Sequence, residues 1–213
     1  MPLQLKPLKL SDAKAWAWLD YISFKSTVGR YLWLRDPSPE TLQLMTQDRL
    51  NDLQKPNTHH WKIIDTELED SEQPIAFASW TIYMHQRSEA DIHIDKVIPD
   101  MYPERNIPAV KQFWAPLFDA HATVMGARPH MMIAMFGTHP DHQRRGAGKM
   151  LMEWGCKEAD KLRLEIYVEA SSMGKGLYEK FGCERVQGEH SECVFDTRPW
   201  GGLHDEIQTV GIS

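Results

Sequence analysis

Segments of strand character and segments of helical character alternate along the chain, which predicts a mixed α/β (α+β) fold. Three observations carry this expectation. Met131–Phe136 is an apolar run of strand length bounded by Gly137 and Pro140, and from Ala147 to Leu162 apolar residues (Met150, Leu151, Trp154, Ala159, Leu162) recur at helical spacing. Trp61–Asp65 and Pro74–Tyr83 read as two strands joined by the polar run Glu67–Gln73, a hairpin. Leu164–Val168 is a further short apolar strand, followed by a turn at Glu169–Ser172 and a short helix over Gly174–Phe181 closed by Gly182.

The remaining elements follow in order. Leu3, Leu5, Leu8 and Leu10 alternate with Lys6 and Lys9, and the pattern slips at Pro7, which an edge strand tolerates. Ser11-Asp12 reads as an N-cap, and the helix behind it is expected to bury Ala15, Trp18, Leu19 and Ile22. Tyr31–Asp36 is aromatic and fits neither period. Ser38 as cap and Pro39 at the first helical position start a helix carrying Leu42, Met45, Leu50 and Leu53, which stops before Pro56-Asn57. In Pro74–Tyr83, Ala76, Ala78 and Trp80 share one face, and Ile75, Phe77, Ser79 and Thr81 the other. Residues 85–107 are polar, contain Pro99 and Pro103, and show little periodicity. A loop of that length is either a functional lid or a surface excursion. Its Asp91, Asp95, Asp100 and Glu104 are candidates to meet a cationic substrate. Pro108–Met125 is an amphipathic helix with Val110, Phe113, Trp114, Leu117, Phe118, His121 and Val124 on one broad face. Pro116 is expected to kink it near Gln112, and Gly126 to cap its C-terminus. Arg185-Val186 and Glu192–Asp196 read as closing strands, and the stretch from Thr197 carries no pattern. With neither repeat nor linker, one domain over residues 1–213 is expected, with 85–107 as an insertion.

Between the central strand and helix lies Gln143-Arg144-Arg145-Gly146-Ala147-Gly148. A helix start leaves backbone N–H groups unpaired and carries about half a positive charge. Two glycines keep side chains from holding a ligand off the backbone, and two arginines stand just before the helix. The composition suits a phosphate or pyrophosphate. The Walker pattern fails, because Met150 follows Gly148-Lys149 and Gln143 stands five before Gly148. The dinucleotide fingerprint fails too, with Leu151 where its third small residue belongs.

What remains, Gln-x-x-Gly-x-Gly after a His-Pro turn, resembles the acetyl-CoA signature of the GNAT superfamily of N-acetyltransferases. The downstream run EASSMGKGLYEKFGC agrees through Leu177, Tyr178, Phe181 and Gly182. Cys183 departs from the usual aromatic residue, and Ser171, seven before Tyr178, stands where many members have Asn. The layout matches over most of the chain and specific residues match between about Phe136 and Cys183, nearest to small-molecule members of the puromycin N-acetyltransferase type. The resemblance implies a mixed, mostly antiparallel central sheet flanked by helices on both faces. It also implies direct acetyl transfer from acetyl-CoA to a primary amine. The backbone of Phe136, Gly137 and Thr138 would pair with the pantetheine amides. Backbone N–H groups from Arg144, Arg145, Gly146, Ala147, Gly148 and Lys149, behind Gln143, would hold the pyrophosphate. Ser171 would meet the pantetheine arm, and Tyr178 occupies the family's acid position. Alternative readings are a protein N-terminal or lysine acetyltransferase and a non-catalytic acyl-CoA sensor.

An amine with a pKa near 10 must lose a proton before it attacks a thioester. His130, beside the central strand, is the first candidate base, with Glu169 and His139 as others. His59-His60 and His139-x-x-His142 lack a third ligand at a metal spacing, so no metal is expected. A net charge of −6 over 213 residues argues against nucleic acid as partner. The three cysteines, Cys156, Cys183 and Cys193, fit no zinc spacing and read as free thiols. Without a signal-like segment or a long apolar run, no membrane is expected, and the cytoplasm is the expected location, as monomer or homodimer.

Overall fold

The computed structural model describes residues 2–94, 102–185 and 207–212. The chain gathers into two compact units, Met1–Thr81 with Tyr102–Asn106 and Ala134–Gly155, and Ile82–Met101 with Ile107–Ile133 and Cys156–Ser213.

In the first unit β1 (Leu3–Pro7), β2 (Thr58–Asp65) and β3 (Pro74–Tyr83) form an antiparallel sheet, with β4 (His130–Thr138) next in order. Pro7 sits at the end of the edge strand opposite Trp61. Phe77 and Trp80 point to opposite faces of β3. On the Phe77 face pack Trp16 and Leu19 of α1 (Ala13–Phe24). On the Trp80 face lie Trp154 and Gly155 of α6 (Ala147–Leu162). Helices thus cover both faces here, and β3 is buried from Pro74 to Trp80 without alternation.

The buried face of α1 differs from expectation. It buries Ala13, Trp16, Ala17, Leu19 and Tyr21, whereas Trp18 is 41% exposed. The helix has two partners. Trp16 and Leu19 meet the sheet, while Ala17 and Tyr21 meet Met45 of α3 (Pro39–Asp52) and Tyr102. The resulting arc is too wide for one apolar stripe to mark. Asp12 makes no cap for α1. Its carboxylate accepts instead from the Lys9 N–H (2.8 Å) and from Nζ of the buried Lys62 (2.9 Å). Ser38 does cap α3, accepting from the Thr41 N–H at 3.2 Å, with Pro39 first in the helix. The ambiguous Tyr31–Asp36 stretch contributes to a short helix, α2 (Gly29–Leu32).

In the second unit the start of β4 pairs in parallel with β5 (Glu165–Ser171), from His130↔Glu165 to Ile133↔Val168. β5 pairs antiparallel with β7 (Ile207–Ile212), and β7 with β6 (Glu184–Arg185). β5 extends through the expected turn to Ser171, and α7 (Ser172–Glu179) starts directly after it, two residues before Gly174. Ladder bonds to β7 hold those residues extended, from Glu169↔Thr209 to Ser171↔Ile207. β7 itself lies where no strand was expected. Val186 and Glu192–Asp196 fall outside the described residues. α5 (Ile107–Val124) runs on across Pro116 and buries Ala109, Val110, Phe113, Leu117, Ala120 and His121. Gly126 follows at φ 53°, the left-handed turn expected of its cap.

The stretch expected as a lid holds α4 (Glu89–Ile94), whose first turn is tied by Ser88 and Asp91. Asp95 and Asp100 lie outside the described residues. Glu104 is not available to a substrate cation. It is buried and accepts from Thr41 Oγ1 (2.6 Å) and the Ser38 N–H (3.3 Å), while Tyr102 donates to Asp48 at 2.6 Å. These bonds fasten 102–106 to α3.

Candidate functional site

The parallel ladder between β4 and β5 ends at Ile133, and β4 continues from Ala134 to Thr138 within the first unit. Phe136, Gly137 and Thr138 therefore stand beyond that ladder. Gly137 is obligatory for packing, since a Cβ there would meet Phe77 Cε1 at 2.7 Å and Ser23 Cβ at 3.0 Å.

After β4 the chain makes a 3-10 turn, Pro140–His142, with the His139 ring accepting from the Asp141 N–H at 3.2 Å. Gln143 is extended. Arg144 then takes φ 62° and Gly146 φ 95° before α6 begins at Ala147. Nothing lies within 4 Å of a Cβ built on Gly146, so the need for glycine there is conformational. The first main-chain bond of α6 runs from the Met150 N–H to the Gly146 carbonyl at 3.2 Å. The N–H groups of Ala147, Gly148 and Lys149 precede it and have no partner inside the helix. That donor set at the positive end of a helix dipole fits the oxygens of a pyrophosphate.

The two arginines divide their work. Arg144 is exposed, and among the described residues its side chain makes no hydrogen bond or ion pair. Arg145 turns to the sheet, donating from Nη2 to Asp65 Oδ2 (2.5 Å) and from Nη1 to His142 Nδ1 (2.8 Å). Lys149 is exposed and 3.6 Å from Glu153. Asp65, eighty residues from Arg145, gives no sequence signal of its part in the loop.

Ser171, Tyr178 and His130 belong to the second unit. Ser171 Oγ accepts from the Gly174 N–H at 3.1 Å and so caps α7, leaving its hydroxyl proton to donate elsewhere. Tyr178 is buried, and burial, followed by the Cys183 thiol, raises its pKa and keeps it protonated. A Cβ on Gly174 would touch Tyr178 Cε2 at 3.0 Å, so the glycine opens room for the ring. Burial pushes the Cys183 thiol up to about 12 and also raises Cys156, and both are free thiols. Cys193 lies outside the described residues.

His130 is fully buried with both ring nitrogens engaged. Its Nδ1 donates to the Arg128 carbonyl (2.7 Å), so in the neutral ring Nε2 accepts from His121 Nε2–H (2.8 Å). Burial first, then the facing His130 ring and Arg87, lowers His121 to about 3. Burial likewise brings His130 down to about 4, against the Arg128 carbonyl. Tyr83 lies against His130, with ring centroids 4.7 Å apart, and Tyr167 against His121 at 4.9 Å. Tyr167 and Glu169 share a face of β5, and the Tyr167 hydroxyl donates to Glu169 Oε1 at 3.1 Å. Burial raises Glu169 to about 7, that hydrogen bond opposing it. Among the described residues no group of His, Cys, Asp and Glu is arranged to hold a metal.

β4 thus runs into a left-handed, glycine-bearing loop and a helix start, a geometry of the kind that suits a phosphate ester. The chain belongs to the acetyltransferase (GNAT) family, whose family model matches residues 16–183. A probable acyltransferase, SID5, of Ajellomyces capsulatus is 34% identical over 44 residues, 21% of this chain, and the match spans about a third (32%) of that relative's length. Among solved structures, an apo mutant of agmatine N-acetyltransferase superposes with TM-score 0.65 at 11% identity, covering 100% of this chain and 99% of that one. Arabidopsis thaliana NAA60 in complex with acetyl-CoA gives TM-score 0.55 at 15% identity, over 98% and 97%. These likenesses establish the α/β fold, a mostly antiparallel sheet flanked by helices.

Proposed function

We propose that the chain is an acetyl-CoA-dependent N-acetyltransferase acting on the primary amine of a small molecule by direct attack in a ternary complex. The observation that carries this reading is the loop of Arg144 and Gly146 leading into the N–H groups of Ala147, Gly148 and Lys149, which have no partner inside the helix. Family membership and the agmatine enzyme's likeness support it.

Acetyl-CoA supplies an activated thioester. The loop N–H groups, with Gln143, Arg144 and Arg145 around them, hold the pyrophosphate. The backbone of Phe136 to Thr138 pairs with the pantetheine arm, and the Ser171 hydroxyl donates to it. A primary amine is mostly protonated at pH 7 and needs a base. Glu169, raised to about 7, accepts that proton at neutral pH. His130 was the first candidate from sequence, but both its nitrogens are already bonded. Tyr178, protonated by burial, donates to the departing thiolate. The protein works without metal, in the cytoplasm, as monomer or homodimer, away from nucleic acid and membrane. No helix among the described residues is long and apolar enough to cross a membrane.

The test is an acceptor screen with acetyl-CoA by mass spectrometry over small amines and peptides. Acetylated amines with peptides untouched are expected. Peptide products alone would favour an N-terminal or lysine acetyltransferase. CoA binding without product under any acceptor would favour an acyl-CoA sensor. Tyr178→Phe is expected to lower kcat at least tenfold with CoA affinity within twofold of wild type.

A further inference from the structure

A cation in a pyrophosphate loop can serve the anion directly or fasten the loop. We propose that Asp65 is a positioning residue for the donor loop, acting through Arg145. This rests on the pyrophosphate-site reading above.

Asp65 ends β2, where the ladder pairs it with Leu3, and it is 2% exposed. Its Oδ2 takes Arg145 Nη2 and its Oδ1 takes the Glu67 N–H at 3.0 Å. These two bonds, the arginine's first, hold the carboxyl below the usual range, so the ion pair persists at neutral pH. Arg145 cannot accept a hydrogen bond, so His142 Nδ1 must accept from Nη1, which requires an unprotonated Nδ1. Burial and the arginine both lower the His142 pKa accordingly. One guanidinium thus ties the loop back to the 3-10 turn and sideways to a strand end.

The tie matters because the loop is conformationally costly. Arg144 holds φ 62°, a left-handed conformation that costs a non-glycine residue roughly 1–2 kcal/mol. Arg144 has no side-chain partner among the described residues to hold it there. Fixing its neighbour Arg145 supplies the constraint, so the N–H groups ahead of α6 are aimed before the ligand arrives. Preorganisation of this kind appears in affinity, because ordering is not charged against binding.

Charge alone predicts the opposite effect. If Asp65 merely screened Arg145, removing its charge would free a cation for the pyrophosphate and tighten binding. The experiment measures CoA affinity by titration calorimetry for wild type, Asp65→Asn, Arg145→Gln and the double variant. It adds steady-state turnover with acetyl-CoA and with S-acetylpantetheine, which lacks the pyrophosphate. Asp65→Asn is expected to weaken CoA about tenfold, or about 1.4 kcal/mol. The double variant should be no weaker than the weaker single. KM for acetyl-CoA should rise with kcat kept, and S-acetylpantetheine turnover by Asp65→Asn should match wild type. Unchanged or tighter CoA binding overturns the proposal, and so does an equal loss with S-acetylpantetheine, which would mark general damage. Should Asp65→Asn fail to fold, Asp65→Glu carries the same comparison: it keeps the charge but shifts the carboxylate's reach, so weaker CoA binding with S-acetylpantetheine turnover kept is expected and unchanged CoA affinity overturns the proposal. Absence of CoA binding by wild type is a different result and overturns the donor-site reading itself.

Discussion

Gly155→Ala should destabilise the protein even though it replaces glycine inside a helix. In α6 alone the substitution gains about 1 kcal/mol of helix propensity. In the folded chain the new Cβ would lie 2.1 Å from Trp80 Cη2 and 2.2 Å from Cζ2. Trp80 is fully buried and packs against Trp154, with centroids 5.9 Å apart, so its ring has nowhere to retreat. Either α6 moves off the sheet or the ring leaves its rotamer. Overpacking of this kind costs roughly 1–3 kcal/mol, occasionally more, and a contact this short belongs at the upper end. The net loss is then about 2 kcal/mol. For a chain of this size that lowers Tm by roughly 4–8 °C. Differential scanning fluorimetry of wild type, Gly155→Ala, Trp80→Phe and the double variant measures it. The smaller ring should absorb the methyl, so the double variant should lose less than the two singles summed. A Tm that rises in Gly155→Ala would refute the reasoning, because propensity would then outweigh the contact.

Gly146→Val should weaken CoA binding at least tenfold with the chain still folded and Tm lowered by only a few degrees, since φ 95° strains a β-branched residue while the open space around the site spares it any clash. Calorimetry and fluorimetry together check both halves. Because His121 and His130 are held neutral in the folded state and titrate near 6.5 when unfolded, their contribution is present above pH 6.5. It is lost as pH falls from 6.5 towards 4, at up to about 1.4 kcal/mol per pH unit for each ring. Denaturant titrations should show this limb, made shallower by His121→Gln, which keeps a donor for His130. Glu169 has the opposite sign. Its raised folded pKa gives stability that is present below about pH 4.5 and lost as pH rises through about 7. Glu169→Gln should remove that loss and should also flatten the rise of kcat/KM between pH 6 and 8.

Local rules were enough for the elements with one dominant signal. Ser38 and Pro39 begin a helix whatever surrounds them, and Pro74–Tyr83 is a strand with the expected ends. The loop from Gln143 and the helix from Ala147 were legible because phosphate chemistry demands glycine and free N–H groups within a few residues. Segments shaped by distant partners were not legible. The face of α1 depends on the sheet and on α3 together. β5 reaches Ser171 because β7 pairs with it, and β7 has no alternation in sequence to announce it. The tether of Arg145 depends on Asp65, which reads as an ordinary strand end. Gly155 was a signal left unused, since a glycine inside a helical pattern marks a close approach.

The described carboxylates separate by what their partners do to the proton. Asp65 faces Arg145, Asp36 faces Lys25 and Tyr21, Glu104 takes a hydroxyl and an N–H, and Asp91 takes two bonds from Ser88. Each of these donors stabilises the anion, so each carboxylate is held below its ordinary range and gives up any proton it meets at neutral pH. The same donors account for structure: a loop tie, a surface pair, the pinning of 102–106 and a helix start. Glu169 differs because its one donor among the described residues, the Tyr167 hydroxyl, is neutral and does not offset burial. A general base is most useful when its pKa lies near the working pH, where it is both ionised and able to keep a proton. Strong pairing, which makes a carboxylate a good structural anchor, therefore disqualifies it as the amine's base. Among the described carboxylates with a shifted pKa, Glu169 is the one raised towards neutral pH, and that proton affinity is what the proposed role as base requires.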